Sequence, residues 1–194
     1  MKFVAILAAA LASGVAMAAA DPAAGAAKAQ ACFACHGPGG ISKTAETPSL
    51  AGQPDGFLQW QLVFFRSGTR KSPVMQPMAA QLKDDDIRDL AAFFAAQPPP
   101  RAAQPAAAGD PLVAAGRKVV QANRCTACHK EDFSGTQATP RIAGQREDYL
   151  LKALRDFKAG RRTGGGVAAM ADVVYPLADD DLRALARFLA RFAS

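Results

Sequence analysis

The chain has 194 residues, enough for one ordinary domain or two small ones. Half of the residues are hydrophobic, but alanine supplies much of that share and aromatic residues make up only 7%. Small domains of this composition have small apolar cores and need an additional source of stability, such as a covalently bound group. The net charge of +6 alone is compatible with nucleic-acid binding, but no pattern of interleaved aromatic and basic residues supports that class.

The first twenty residues have the pattern of a secretory signal peptide. Lys2 precedes an uncharged stretch from Phe3 to Ala20, and Ala16-Met17-Ala18 fits the small-x-small cleavage rule. We therefore expect a signal peptide over residues 1–20, cleaved between residues 18 and 20. An uncleaved anchor is the alternative, although few of these residues are strongly apolar. Export predicts a periplasmic location, with peripheral association with the inner membrane left open.

The motif Cys-x-x-Cys-His occurs twice and uses all four cysteines and both histidines of the chain. The two copies comprise Cys32, Cys35 and His36, and Cys125, Cys128 and His129. This motif attaches c-type haem, because two thiols on one helical turn add across the haem vinyl groups and the adjacent imidazole binds the iron. A disulfide or zinc is the alternative, but zinc requires four ligands and each copy offers three. The motifs predict two covalently bound haem c groups.

Helical patterns surround each motif. A first helix is predicted to begin near Pro22, and near Pro111 in the second half, and to run into the motif. A second helix is predicted over about 54–67 and again over about 146–159, where apolar residues recur at helical spacing. A last helix is predicted to open at each aspartate triplet, 84–86 and 179–181, because carboxylates stabilise a helix N-terminus.

These elements belong to an internal repeat with an offset of 92 to 95 residues. Pro48-Ser49-Leu50-Ala51-Gly52-Gln53, for example, returns as Pro140-Arg141-Ile142-Ala143-Gly144-Gln145. Residues 98–110 are rich in proline and alanine and predict an extended linker between domains at 21–97 and 111–194. The first domain is neutral, whereas the second has a net charge of +5.

Methionine is the remaining candidate for the sixth iron ligand, since no third histidine exists. Met170 is the only methionine of the second domain and lies seven residues before Leu177. In the first domain Met75 has the equivalent position before Leu82, so we favour it over Met78, which we expect to serve in packing.

The sequence leaves alternatives for the histidine acceptors and for the sixth ligand of the second iron. Pro48 and Pro140 follow their histidines by 12 and 11 residues, and a carbonyl of that loop is expected to accept a hydrogen bond from the histidine Nδ1–H, unless the prolines only form turns. In the second domain, the alternative is a core Met170, with the iron open or bound by a lysine or Tyr175.

These features together resemble the dihaem cytochrome c4 family over both halves of the mature chain. The resemblance rests on the two Cys-x-x-Cys-His motifs, the Leu/Ile-Ala-Gly-Gln segments, a methionine in a loop, and the Leu-x-Asp-x-Asp-Ile/Leu helix starts. It implies an all-α fold of two tandem class I cytochrome c domains, each a small helical bundle wrapped round a covalently attached haem. It also implies haem thioethers at Cys32, Cys35, Cys125 and Cys128, and axial ligands at His36, Met75, His129 and Met170. The chain departs from the family pattern at 164–166 and 175–176.

The function that this implies is electron transport and not enzymatic catalysis, since a methionine thioether fills the site that a substrate would need. We expect electron transfer between respiratory donors and a terminal oxidase or reductase. The expected partners are redox proteins, with the basic second domain docking on an acidic face. Neither nucleic acid nor a small-molecule substrate is expected. The alternatives are a haem subunit of a membrane dehydrogenase or oxidase complex, and a peroxidase or sulfur-compound oxidoreductase with one open haem.

Overall fold

The helices of the chain follow the repeat closely. The computed structural model describes residues 19–102 and 109–193, and within these ranges it contains no β-strand. The α-helices of the first half are α1 (Pro22–Lys28), α2 (Phe33–His36), α3 (Asp55–Arg66), α4 (Met75–Ala80) and α5 (Asp84–Ala95). Those of the second half are α6 (Pro111–Ala122), α7 (Thr126–His129), α8 (Glu147–Lys158), α9 (Val167–Val174) and α10 (Asp179–Arg191). The all-α prediction is confirmed, as are the predicted second and last helices of each half.

Parts of two predictions lie outside the described residues. They are residues 1–18 of the expected signal peptide and residues 103–108 of the expected linker. Among the helices that the structure describes, none combines the length and hydropathy needed to cross a membrane.

The first and last helices of each half cross at a glycine. A Cβ atom at Gly25 would lie 2.1 Å from the backbone oxygen of Asp89, and one at Gly116 would lie 2.2 Å from that of Ala184. Only glycine allows the two backbones to approach so closely. The crossing brings α1 against α5 and α6 against α10, which forms the frame of each half.

Both first helices begin where the sequence predicts, but the prediction that the first helix runs into the motif is confirmed only in the first half, where right-handed helical backbone continues from Pro22 to His36. In the first half α1 ends at Lys28, and a 3-10 turn at Ala29–Cys32 leads into α2. In the second half the backbone of Arg124 has φ +49°, a left-handed conformation that an α-helix cannot contain. Only the second motif is therefore separated from the preceding helix, and it lies at the single-turn helix α7.

The last helices start as the aspartate triplets predict. The Asp86 carboxylate accepts a hydrogen bond from the Lys83 backbone N–H at 2.9 Å, and Asp181 does the same for Ala178 at 3.1 Å. Each carboxylate satisfies a backbone donor ahead of the first turn. From there, apolar side chains of α5 and α10 form much of the buried core of each half.

The two halves pack directly against each other. A Cβ atom at Gly165 would lie 2.8 Å from the ring of Phe64, so this glycine lets the second half approach a first-half aromatic side chain. The start of the linker also contacts both halves. Pro99 lies against Gly52, and the Pro100 oxygen is 2.6 Å from where a Cβ atom of Gly144 would be.

Candidate haem sites

The two motif histidines are buried and held in the same way. His36 is 6% exposed and His129 is 7% exposed. The His36 Nδ1 atom is 2.8 Å from the Pro48 carbonyl oxygen, and the His129 Nδ1 atom is 3.0 Å from that of Pro140. The predicted carbonyl acceptor is confirmed in both halves. Burial lowers the pKa of both imidazoles, against the opposing effect of the carbonyls, and so favours the neutral form, which is the form that can bind a metal ion.

The four cysteines lie beside these histidines and form no disulfide. Cys35 and Cys128 are exposed, while Cys32 and Cys125 are half-buried. Burial raises the pKa of the Cys32 and Cys125 thiols. Within the described ranges, no group of three or more histidine, cysteine or acidic side chains is arranged to hold a metal ion directly.

The candidate methionines lie on helices and not in loops, which corrects the sequence prediction. Met75 is the first residue of α4, Met170 lies within α9, and both are partly buried. Met170 packs against the core of the second half. Met78 is 44% exposed, more than either candidate ligand. Tyr175, the alternative ligand, is 73% exposed.

An arginine from each half approaches Tyr149, a cluster that the sequence did not predict. Arg70 donates to the Tyr149 hydroxyl at 3.5 Å. The guanidinium carbon of Arg70 lies 4.5 Å from the centre of the Phe65 ring, and that of the repeat-equivalent Arg162 lies 4.4 Å from the Phe157 ring. Burial opposes ionisation of the Tyr149 phenol, but the charges of Arg162 and Arg70 outweigh it and lower its pKa to about 8. In the described part of the chain neither arginine forms a direct ion pair with a carboxylate, although the charge of Asp156 acts on Arg162 from further away.

Two glutamine side chains form hydrogen bonds with the backbone of the opposite half, which the sequence did not predict either. The Gln145 amide accepts from the Ser49 N–H at 2.8 Å and donates to the Ser49 carbonyl at 2.9 Å. The Gln53 amide accepts from the Arg141 N–H at 3.0 Å and donates to the Arg141 carbonyl at 2.8 Å. Both glutamines are at most 5% exposed. The signal available in the sequence was a glutamine that recurs at the end of the repeated segment.

The repeated unit of a Cys-x-x-Cys-His helix, a carbonyl-bound histidine and a methionine helix defines a c-type cytochrome of two domains. Residues 113–192 match the family described as "Cytochrome c", and residues 18–94 match "Cytochrome C oxidase, cbb3-type, subunit III". Cytochrome c4 of Azotobacter vinelandii is 36% identical over 192 residues, which cover 91% of each chain. The crystal structure of reduced recombinant cytochrome c4 from Pseudomonas stutzeri matches with a TM-score of 0.81 and 32% identity, over 91% of this chain and 100% of that one.

The chain belongs to the cytochrome c4 family. It is a dihaem electron-transfer cytochrome with two class I domains and two covalently bound haem c groups. It is also similar to a protein named thiosulfate dehydrogenase electron acceptor from Stutzerimonas stutzeri, with 34% identity over 84% of this chain and 79% of that one.

Proposed function

We propose that this cytochrome is exported to the periplasm and carries electrons between a respiratory donor and a terminal oxidase or reductase, without catalysis of its own. The observation that carries the proposal is the buried histidine of each half, whose Nδ1 lies within hydrogen-bond distance of a proline carbonyl and whose Nε2 is therefore the nitrogen available to iron. In this assignment His36 pairs with Met75 and His129 with Met170. These four side chains would hold the two irons, and no position would then be open to a substrate.

The residues present fit haem c in both halves. Cys32 and Cys35, and likewise Cys125 and Cys128, would form the thioethers, since their thiols are not joined in disulfides. The bound haem supplies one-electron exchange between ferric and ferrous iron. The proline carbonyls hold the imidazole planes, while a methionine thioether favours the ferrous form and raises the reduction potential.

The cluster at the meeting of the halves fits the haem carboxylates. Arg70 and Arg162 lack a carboxylate partner in the described ranges, and Tyr149 adds a hydroxyl donor. Two guanidinium groups in a partly buried position are stabilised by anions that approach them. These side chains would therefore neutralise propionates and keep water away from the haem edges.

Replacing the methionines one at a time tests the ligand assignment. In Met75→His and in Met170→His, half of the near-infrared charge-transfer absorbance is expected to disappear, and one of the two midpoint potentials is expected to fall. Met78→Leu is the matched control and should change neither. If either histidine variant titrates as the wild type does, that ligand assignment is wrong. A wild-type band that accounts for one methionine-ligated haem per chain would instead favour the open-haem oxidoreductase.

The similarity to a thiosulfate dehydrogenase electron acceptor favours a second candidate, in which the donor is a sulfur-compound dehydrogenase. Stopped-flow reduction of this cytochrome by a purified thiosulfate dehydrogenase with thiosulfate tests it directly. Fast reduction supports this donor. Reduction no faster than by thiosulfate alone excludes it and leaves the respiratory donor.

Charge on the second half gives a test of docking that applies to either donor. Lys118 and Lys130 are exposed on the half that carries the net charge of +5. Changing both to glutamate should slow electron transfer and weaken its dependence on salt, because charge steering declines with ionic strength. The matched control is Lys43 and Lys71 of the neutral half, also exposed, whose replacement should have a smaller effect. Equal effects of the two pairs contradict docking through the second half.

A further inference from the structure

The loop carbonyl that accepts from each histidine belongs to a peptide unit whose N–H donates to a glutamine of the opposite half. The Pro48 carbonyl, which is bound to His36, and the Ser49 N–H are the two polar groups of one peptide unit. That N–H donates to the Oε1 atom of Gln145 at 2.8 Å. Since the described peptides are all trans, the two groups point in opposite directions. A single line of hydrogen bonds therefore runs from Gln145 in the second half to His36 in the first.

The same line occurs in the reverse direction. The Pro140 carbonyl accepts from His129 at 3.0 Å, and the N–H of the same peptide unit, that of Arg141, donates to the Gln53 Oε1 atom at 3.0 Å. Each glutamine also donates its side-chain N–H to a carbonyl, Gln53 to that of Arg141 and Gln145 to that of Ser49. These second hydrogen bonds fix each amide in one orientation. The contacts are buried, so water does not compete for them.

We propose that Gln145 and Gln53 are positioning residues for the iron-binding histidine of the opposite domain. Gln145 thereby tunes the reduction potential of the first-domain haem, and Gln53 that of the second-domain haem. The inference rests on the proposed ligation by His36 and His129. An acceptor at the peptide N–H shifts electron density onto the carbonyl oxygen of that unit, because neighbouring hydrogen bonds polarise one another. The carbonyl then draws the Nδ1 proton more strongly, which makes the imidazole a more basic ligand. A more basic ligand stabilises ferric iron and lowers the potential.

The sign of the change separates this role from a merely structural one. Loss of the glutamine acceptor makes the carbonyl weaker and the imidazole less basic, so the potential of the opposite haem rises. A glutamine that only held the halves together would, when removed, admit water to the haem edges. Water stabilises the more highly charged ferric form, so the potential would fall.

The experiment measures both midpoint potentials of the holoprotein in Gln145→Leu and in Gln53→Leu. Gln145→Leu is expected to raise the potential of the first-domain haem alone, and Gln53→Leu that of the second-domain haem alone. Each potential is assigned to its haem with Met75→His and Met170→His. Gln59→Leu is the matched control, because Gln59 bonds only Asp55 at the surface and should leave both potentials unchanged.

Gln145→Glu supplies the second variant, since a glutamate in either protonation state keeps an oxygen acceptor for the Ser49 N–H. Its first-domain potential should return to the wild-type value or fall below it. The NMR shift of the His36 Nδ1 proton should follow the potential across the series. A fall or no change in Gln145→Leu, or a shift of the haem in the same domain, overturns the inference. If the proposed histidine ligation itself is wrong, the wild-type protein lacks the charge-transfer band and the haem spectrum of histidine–methionine ligation. That outcome is distinguishable from an unchanged potential in the glutamine variants.

Discussion

Replacing Gly116 by alanine places a methyl group between α6 and α10. The new Cβ atom would lie 2.2 Å from the Ala184 backbone oxygen and 2.6 Å from the Phe188 Cβ atom. The first of these is a carbonyl within a helix, which cannot rotate away from the methyl group. The two helices therefore have to separate.

The size of the effect follows from two opposing contributions to the free energy of unfolding. Helix propensity alone predicts that alanine stabilises a helix interior by about 1 kcal/mol relative to glycine. Carbon and oxygen need about 3.3 Å, so α6 has to move by about 1 Å at the crossing. Overpacking of this kind costs about 1–3 kcal/mol, and the rigid backbone obstacle places Gly116→Ala near the upper end. The net expectation is a loss of about 2 kcal/mol in the free energy of unfolding.

Urea unfolding of the haem-loaded protein, followed by far-UV circular dichroism, measures this loss. Ala114→Gly in the same helix is the control, because Ala114 is exposed and should lose only about 1 kcal/mol through propensity. The single tryptophan, Trp60, lies in the first half and reports on that half separately. Gly25→Ala should move its fluorescence transition more than Gly116→Ala does. A Gly116→Ala protein as stable as the wild type, or more stable, refutes the packing argument and shows that helix propensity outweighs the steric clash.

Two further predictions concern ionisation. The Lys28 ammonium lies 2.8 Å from Asp86 and 2.7 Å from Asp89, and its hydrogen bonds lower the pKa of both carboxyls. Their contribution to stability is present above the ordinary carboxyl pKa of about 4 and is lost as pH falls through the lowered values, so Lys28→Met should flatten the acid side of the urea-midpoint profile, and an unchanged slope would contradict this. A hydrogen bond from Arg155 lowers the pKa of Asp179 to about 2. In Arg155→Gln, an NMR titration should find it closer to its ordinary value, whereas a value that stays near 2 would show that Arg155 is not the cause.

The helices and the histidine environment were predictable because their causes are local. The aspartate triplets satisfy N-terminal donors of their own helices, and the apolar stripes follow from the helical period. The carbonyl near Pro48 was predictable because a ligating imidazole needs an acceptor at Nδ1, and the loop after the motif is the nearest source. The break before α7 was not predictable, since it rests on the left-handed backbone of Arg124 and no glycine marks that position in the sequence.

What the sequence did not predict lies between the halves. The repeat shows that Gln53 and Gln145 are equivalent, but a duplicated pattern does not say whether each side chain bonds within its own domain or in the other. Gly165 poses the same problem, because its partner, Phe64, is about 100 residues away along the chain. Such contacts depend on the orientation of two complete domains, which short-range periodicity does not contain.

The two halves share one symmetric pair of contacts where they meet, and they differ in net charge. At the interface, Gln53 and Gln145 make the same pair of hydrogen bonds in opposite directions, so a change in one histidine loop alters the groups that the other half binds. Their net charges are not matched in this way, since one half is neutral while the other has a net charge of +5. Both histidines keep the same carbonyl contact despite this difference in charge. If the crossed glutamines act as proposed, the potentials of the two haems are set jointly at the interface, while the choice of docking partner is set separately by each outer surface.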